Sequence, residues 1–167
     1  MYDELTQVDI KKMQEEIEYR TLVMRPEIIE DVKTARAFGD LSENFEYKAA
    51  KREKNRNDSR IRYLENMIKT AKVISGESKS GSVGLFDKVE VYFEEDDETQ
   101  VFQLVTTLRQ NALKGLISKE SPIGKALMGR KVGDRVLVEV NADYSYYVVI
   151  RSTEKGLDDD SLPISAF

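Results

Sequence analysis

Between Val8 and Ile74 only Pro26 and Gly39 interrupt the chain as helix breakers. A stretch that long without breakers is helical over most of its length, and its apolar residues need a partner to bury them. Upstream of Phe38-Gly39-Asp40 the apolar row runs Met13, Ile17, Met24, Ile28, Val32, Ala35; downstream, Tyr47, Ala50, Lys54, Asn57, Ile61, Leu64, Ile68 and Ala71 alternate by three and four. That is heptad spacing on both sides of one turn. A short connection makes two such helices antiparallel neighbours. The reading is an antiparallel coiled-coil hairpin of two helices of about 25 to 28 residues, projecting on the order of 40 Å at roughly 1.5 Å per residue. Pro26 removes one i→i−4 hydrogen bond, so a kink or short break is expected near Arg25. Arg20 breaks the apolar row once, and Lys54 and Asn57 place polar groups on the seam, roughly opposite Met24 and Ile28. Polar seam residues fix register at a cost in stability. Both a task for the exposed end and simple tolerance in a short hairpin account for them.

The second half has a different grammar. Ser75 to Gly84 reads SGESKSGSVG, a Gly/Ser-rich linker or turn region. Beyond it, Lys88 to Phe93, Gln100 to Thr106, Arg135 to Val140 and Tyr144 to Arg151 read as strands, rich in Val, Tyr and Phe. Glu94 to Glu98 reads as a hairpin loop, and Ser121 to Met128 as a short helix opened by Pro122. The fold class is α+β: a helical hairpin arm over 1–75 with an acidic tip near 40–46, a linker over 76–84, a small β-rich globular domain over 85–154, and a tail over 155–167. The tail's acidic run and Pro163 read as an exposed segment.

Composition narrows the chemistry. The chain has no cysteine and no histidine, which excludes disulfides, thiolate zinc sites, histidine triads and imidazole metal sites. Carboxylate, lysine, tyrosine, serine and backbone chemistry remain. With 31 acidic against 26 basic residues and a formal charge of -5, wholesale wrapping of free DNA or RNA is not expected. No apolar run is long enough to span a membrane. The N-terminus MYDELTQVDI lacks a signal peptide's basic and apolar regions, so the cytoplasm is the expected compartment.

The turn concentrates charge. Gly39 can take the positive φ that ends one helix. Asp40 can then cap the next, with Glu43 three places on in a capping-box-like spacing. The same spacing projects two carboxylates to one side, half of a magnesium site that a partner would have to complete. Glu46 adds a third acid. From Lys48 to Arg62 come seven bases (Lys48, Lys51, Arg52, Lys54, Arg56, Arg60, Arg62) against Glu53 and Asp58. An acidic point on a basic shaft suits contact with phosphate; a solvated face laced with i,i+4 pairs is the plainer alternative.

These residues carry a resemblance. Arg25-Pro26-Glu27-Ile28-Ile29, Ala35-Arg36, GDLSENFEYKAAK from Gly39 to Lys51, and RIRYLENMIKTAKVI from Arg60 to Ile74 resemble bacterial transcript cleavage factors of the Gre type. In the second half, Leu116-Ile117-Ser118, Glu120-Ser121-Pro122-Ile123-Gly124, Ala126-Leu127-Met128-Gly129 and Gly133-Asp134 look like that family's C-terminal signature. The resemblance runs from about Leu5 to Arg151. It departs at Arg20, at VNADYSYY (Val140 to Tyr147), and in the GLDDDSLPISAF tail.

The resemblance implies an arm that enters the secondary channel of bacterial RNA polymerase. Asp40 and Glu43 would act there as the catalytic tip acids, helping to hold a second Mg2+ shared with the polymerase. The scissile bond would be a phosphodiester near the 3′ end of backtracked nascent RNA. The polymerase would supply most of the chemistry, so the chain would stimulate its hydrolysis and would not be a stand-alone enzyme. Lys51, Arg52 and Arg56 would touch RNA or the channel wall, joined by Arg36 and Asn44. Asn44 could equally cap or pack the turn, and Tyr47 could pack the seam. The C-terminal domain would be FKBP-like and dock at the channel rim, with no isomerase activity implied. A monomer is expected, one arm to one channel. The alternative is a non-catalytic regulator that occupies the channel. Tip acids facing outward favour cleavage; a tip locked to Lys48 or Arg36 favours the regulator.

Overall fold

A computed structural model describes residues 3–39, 43–76, 81–159 and 161–166. The chain divides into two units: Ile10–Ala71, and the residues up to Asp9 together with Lys72–Ala166.

The first unit is the helical hairpin. It comprises α1 (Gln7–Tyr19) from Ile10 onward, a π-helical turn (Arg20–Met24), α2 (Arg25–Arg36) and the returning α3 (Phe45–Thr70). The backbone passes Pro26 without ending: Met24 and Arg25 keep right-handed helical angles, and the Arg25 N–H bonds to the Arg20 carbonyl. Proline cannot donate, and its ring crowds the carbonyl four residues back. An i→i+5 turn widens the helix at that point and accommodates the ring. The expected break is a bulge.

The seam is mixed in character. Ile28, Ala35, Ile61 and Leu64 are buried, and so are Asn57 and Arg60. Asn57 lies across from Arg20 and not from Ile28. Arg20 Nη1 donates to Asn57 Oδ1 at 2.9 Å, and Asn57 Nδ2 donates to the Arg20 carbonyl at 3.2 Å. Glu16 accepts from Arg20 Nε at 2.8 Å and from Arg60 Nε at 2.6 Å. Asp58 accepts from Arg25 at 3.0 Å and from Lys54 at 3.1 Å. Arg20, the break in the apolar row, thus belongs to a satisfied polar layer. Such a layer penalises slipped registers, because a slip leaves buried charge unpaired.

A pH dependence follows. Burial alone raises the Glu16 carboxyl, but the bonds from Arg60 and Arg20 outweigh it and hold it below the usual glutamate range. Asp58 is lowered in the same way, against its own burial, by Lys54 and Arg25. A depressed carboxyl contributes stability above its unfolded value and loses it as pH falls through the folded one. The hairpin is expected to weaken as pH drops below about 4.3, the ordinary glutamate value. Glu16→Gln should flatten that acid limb in part, leaving the Asp58 share. Thermal midpoints between about pH 3 and pH 6 check it.

The second unit is built on β-sheet. The short strands β1 (Glu4–Leu5) and β2 (Lys72–Val73) pair in parallel. A five-stranded mixed sheet follows, in the order β5-β4-β3-β7-β6. Its strands are β3 (Lys88–Phe93), β4 (Glu98–Val105), β5 (Leu116–Ser118), β6 (Arg135–Glu139) and β7 (Ser145–Glu154). Only β4 with β5 is parallel; the other neighbours are antiparallel. A helix α4 (Pro122–Leu127), capped by Ser121, completes it. Period-two alternation sends Val89, Val91, Val136, Val138, Val148 and Ile150 to one core with Leu127. The departure at Val140 to Tyr147 closes the β6–β7 turn through the Tyr144 carbonyl, which accepts from the Val140 and Asn141 N–H groups.

Two stretches differ from their sequence reading. In the linker, Val83 is buried and exchanges backbone bonds with Arg130 and Gly129, so the core begins before residue 85. The tail is not simply exposed. Gly156 lies so close over the Phe86 carbonyl that a Cβ there would clash, and its N–H donates to Asp87. Asp158 pairs with Arg109, Leu162 packs against the cluster of Leu85, Phe86, Val105 and Leu116, and the Ser165 N–H donates to the Leu108 carbonyl. Asp158 and the Asp159 carbonyl are held by a buried cation, Arg109.

Candidate functional site at the arm tip

The connection between α2 and α3 carries the charge pattern singled out in the sequence. Gly39 has φ of 121°, a conformation that glycine adopts without strain. Asp40 lies outside the described residues, as do Leu41 and Ser42. The cap of α3 is Asn44 and not Asp40. Asn44 is extended at φ −87°, its Oδ1 accepts from the Tyr47 N–H at 3.0 Å, and its Nδ2 donates to the Ala35 carbonyl at 2.6 Å. One side chain therefore starts α3 and ties it to the end of α2. The helix begins a turn later than the Asp40–Glu43 spacing suggested, because a second good capping residue stands at position 44.

That shift places Glu43 in the turn ahead of the helix, where it is exposed. It makes no hydrogen bond or ion pair with another described residue. Glu46, in the first turn of α3, is also exposed. Acids at a helix start are favoured by the helix dipole. The neighbouring cations are engaged elsewhere: the Arg36 guanidinium lies 5.6 Å from the Tyr47 ring centre, and the Lys48 ammonium 5.9 Å from that of Phe45. Tyr47 is half-buried; Lys51, Arg52 and Arg56 are exposed along α3. Phe38 and Phe45, on either side of the acids, are 70% and 81% exposed. The sequence reading passed over both, although Phe45 stands off the apolar row and so had no seam to enter.

The donor set suits a hard cation in part. Magnesium takes oxygen ligands and keeps several waters. The tip offers carboxylates, and the chain has no imidazole or thiolate to compete. Among the described residues no group of three or more acidic side chains comes together to hold a metal. Among the described residues, too, no helix is long and apolar enough to cross a membrane.

The chain thus combines a helical hairpin, with carboxylate, aromatic and basic side chains at its tip, and a separate β-sheet unit. Residues 4–73 match the N-terminal domain of transcription elongation factors, and residues 77–152 match the GreA/GreB C-terminal domain. The chain belongs to the GreA/GreB family of transcription elongation factors. It is 48% identical over 139 residues to transcription elongation factor GreA of Thermoanaerobacter pseudethanolicus, covering 83% of this chain and 88% of that one. It is 40% identical over 136 residues to GreA of Bacillus licheniformis, covering 81% and 86%. Among solved structures, GreA factor homolog 1 (Gfh1) of Thermus thermophilus aligns at 26% identity, covering 93% of this chain and all of that one, with a TM-score of 0.42.

Proposed function

We propose that this chain stimulates hydrolysis of backtracked nascent RNA by bacterial RNA polymerase. The arm, whose helical hairpin spans Ile10–Ala71, enters the polymerase's secondary channel and brings Asp40 and Glu43 to its active centre. The two carboxylates supply oxygen ligands toward a second magnesium ion and hold the attacking water in line. Bound there, the ion would lower the water's pKa and offset charge on the phosphate. Lys51, Arg52 and Arg56 face RNA phosphates or the channel wall. Arg36 and Asn44 shape the tip: Asn44 holds the two helices together and Arg36 covers Tyr47. The globular part, built around residues 85–154 with Val83 in its core, is FKBP-like and docks at the channel rim as a monomer. The place of work is the bacterial cytoplasm, where the polymerase is.

The observation that carries this reading is the presentation of Glu43. It is exposed at the end of the hairpin, with Lys48 and Arg36 over aromatic rings instead of pairing with it. A locked tip would have favoured a channel-blocking regulator.

The test is RNA cleavage in stalled, backtracked complexes of the matching polymerase. Added protein is expected to shorten the RNA from its 3′ end and restore elongation. Binding without faster cleavage, or with slowed elongation, would sink the proposal in favour of the regulator.

A further inference from the structure

Phe45 is the most exposed aromatic at the tip, and nothing among the described residues of its hairpin explains it. It opens α3 directly after the cap and lies off the buried row of Ile28, Ala35, Ile61 and Leu64. A phenylalanine held in water forgoes the gain of burying its ring. The Lys48 ammonium lies 5.9 Å from the ring centre, within cation–π reach. The arrangement is therefore an exposed aromatic ring with a positive charge over it from one helical turn away, in the same connection as the exposed Glu43. Phe38, 70% exposed, adds a second ring on the α2 side of the same connection.

Single-stranded nucleic acid is recognised by this combination: an aromatic plane for an unstacked base and a cation for its phosphate. A backtracked RNA presents unpaired bases at its 3′ end. Resting on the function proposed above, we infer that Phe45 is a stacking platform for an unpaired base near the RNA 3′ end. Lys48 steadies the adjoining phosphate, and Phe38 widens the apolar surface. Stacking there holds the scissile phosphate against the tip acids. Every base has a π face, so the platform accepts all four nucleotides, and purines most strongly.

The test uses backtracked complexes of the matching polymerase carrying 5-iodouridine at the RNA 3′ end, a base that photo-crosslinks to a stacked aromatic ring. Crosslinking is read without magnesium, so that the RNA stays whole, and cleavage is read with it. Wild type is expected to crosslink through Phe45. Phe45→Tyr should keep both signals. Phe45→Leu should lose the crosslink and slow stimulated cleavage by roughly tenfold, as loss of one base stack does elsewhere. Polymerase binding and the melting of the free protein should stay unchanged, since the side chain is exposed. If Phe45→Leu cleaves like wild type, or wild type crosslinks elsewhere, the platform is overturned and the ring faces a protein wall. Stimulation without the crosslink removes the platform and leaves the proposed function standing. A crosslink without stimulation does the reverse.

Discussion

Asp40→Asn and Glu43→Gln are each expected to lower stimulated RNA cleavage by on the order of a hundredfold, with binding to the polymerase unchanged. The size follows from what the amides lose. Asparagine and glutamine keep the shape and one carbonyl oxygen, but they bring no negative charge to a divalent ion. The described part of the tip gathers no full metal site of its own. On the proposed mechanism each carboxylate is a large share of this chain's contribution, and the polymerase's intrinsic hydrolysis is the floor. The two variants are not expected to multiply. Once one carboxylate is gone the ion is held poorly, so the double variant should sit near the same floor. Raising magnesium should recover part of the lost rate in the single variants, because weaker binding yields to concentration; a defect in folding or docking would not respond. Glu43 is exposed and makes no bond with another described residue, so its change should leave the melting temperature in place. Cleavage by either variant at the wild-type rate would remove the donated-carboxylate mechanism.

How far the sequence revealed this site depended on which signals survive without a partner in view. The hairpin was readable because heptad spacing is a local property, and Ile28, Ala35, Ile61 and Leu64 are buried as that spacing requires. The strands from Lys88 and Arg135 were readable because period-two alternation is local too. The cap was not, since Asp40 and Asn44 are both good caps, and only geometry chose Asn44. Nor could the seam's polar partners be named: Asn57 meets Arg20 from 37 residues away, across a π turn that the sequence signalled only as a troublesome proline. The two-residue strands β1 and β2 are too short to carry a pattern. The tail's contacts went unread for the same physical reason. Acidic residues with a proline read as solvated, and nothing nearby in sequence announces the cation that receives them.

That cation is Arg109, and replacing it is expected to cause the largest loss of stability in the globular unit. Arg109 is buried with 1% exposure, its guanidinium 4.7 Å from the Phe86 ring centre. Its Nε donates to Asp9 at 2.6 Å and its Nη2 to Thr6 Oγ1 at 3.1 Å and to Asp158; its Nη1 reaches the Asp159 carbonyl at 3.4 Å. One side chain thus joins the N-terminal segment, the turn after β4 and the tail. Arg109→Leu leaves Asp9 buried without its cation, and breaking a buried pair from one side costs ~3–5 kcal/mol. The thermal midpoint of the unit should fall by on the order of 10 °C. Asp9 also accepts from the Thr6 N–H at 3.0 Å, so part of its charge stays satisfied and the lower end of that range is the better expectation. Deleting residues 156–167 should do less. It removes Asp158 and uncovers Leu85 and Phe86, but Arg109 keeps Asp9 and Thr6. The order wild type, deletion, Arg109→Leu in falling midpoint separates a tail that braces the cluster from one that merely rests on it. A deletion that melts with wild type would show the tail to be resting. A deletion as damaging as Arg109→Leu would mean that Asp158, and not Asp9, is the partner that holds the arginine in place.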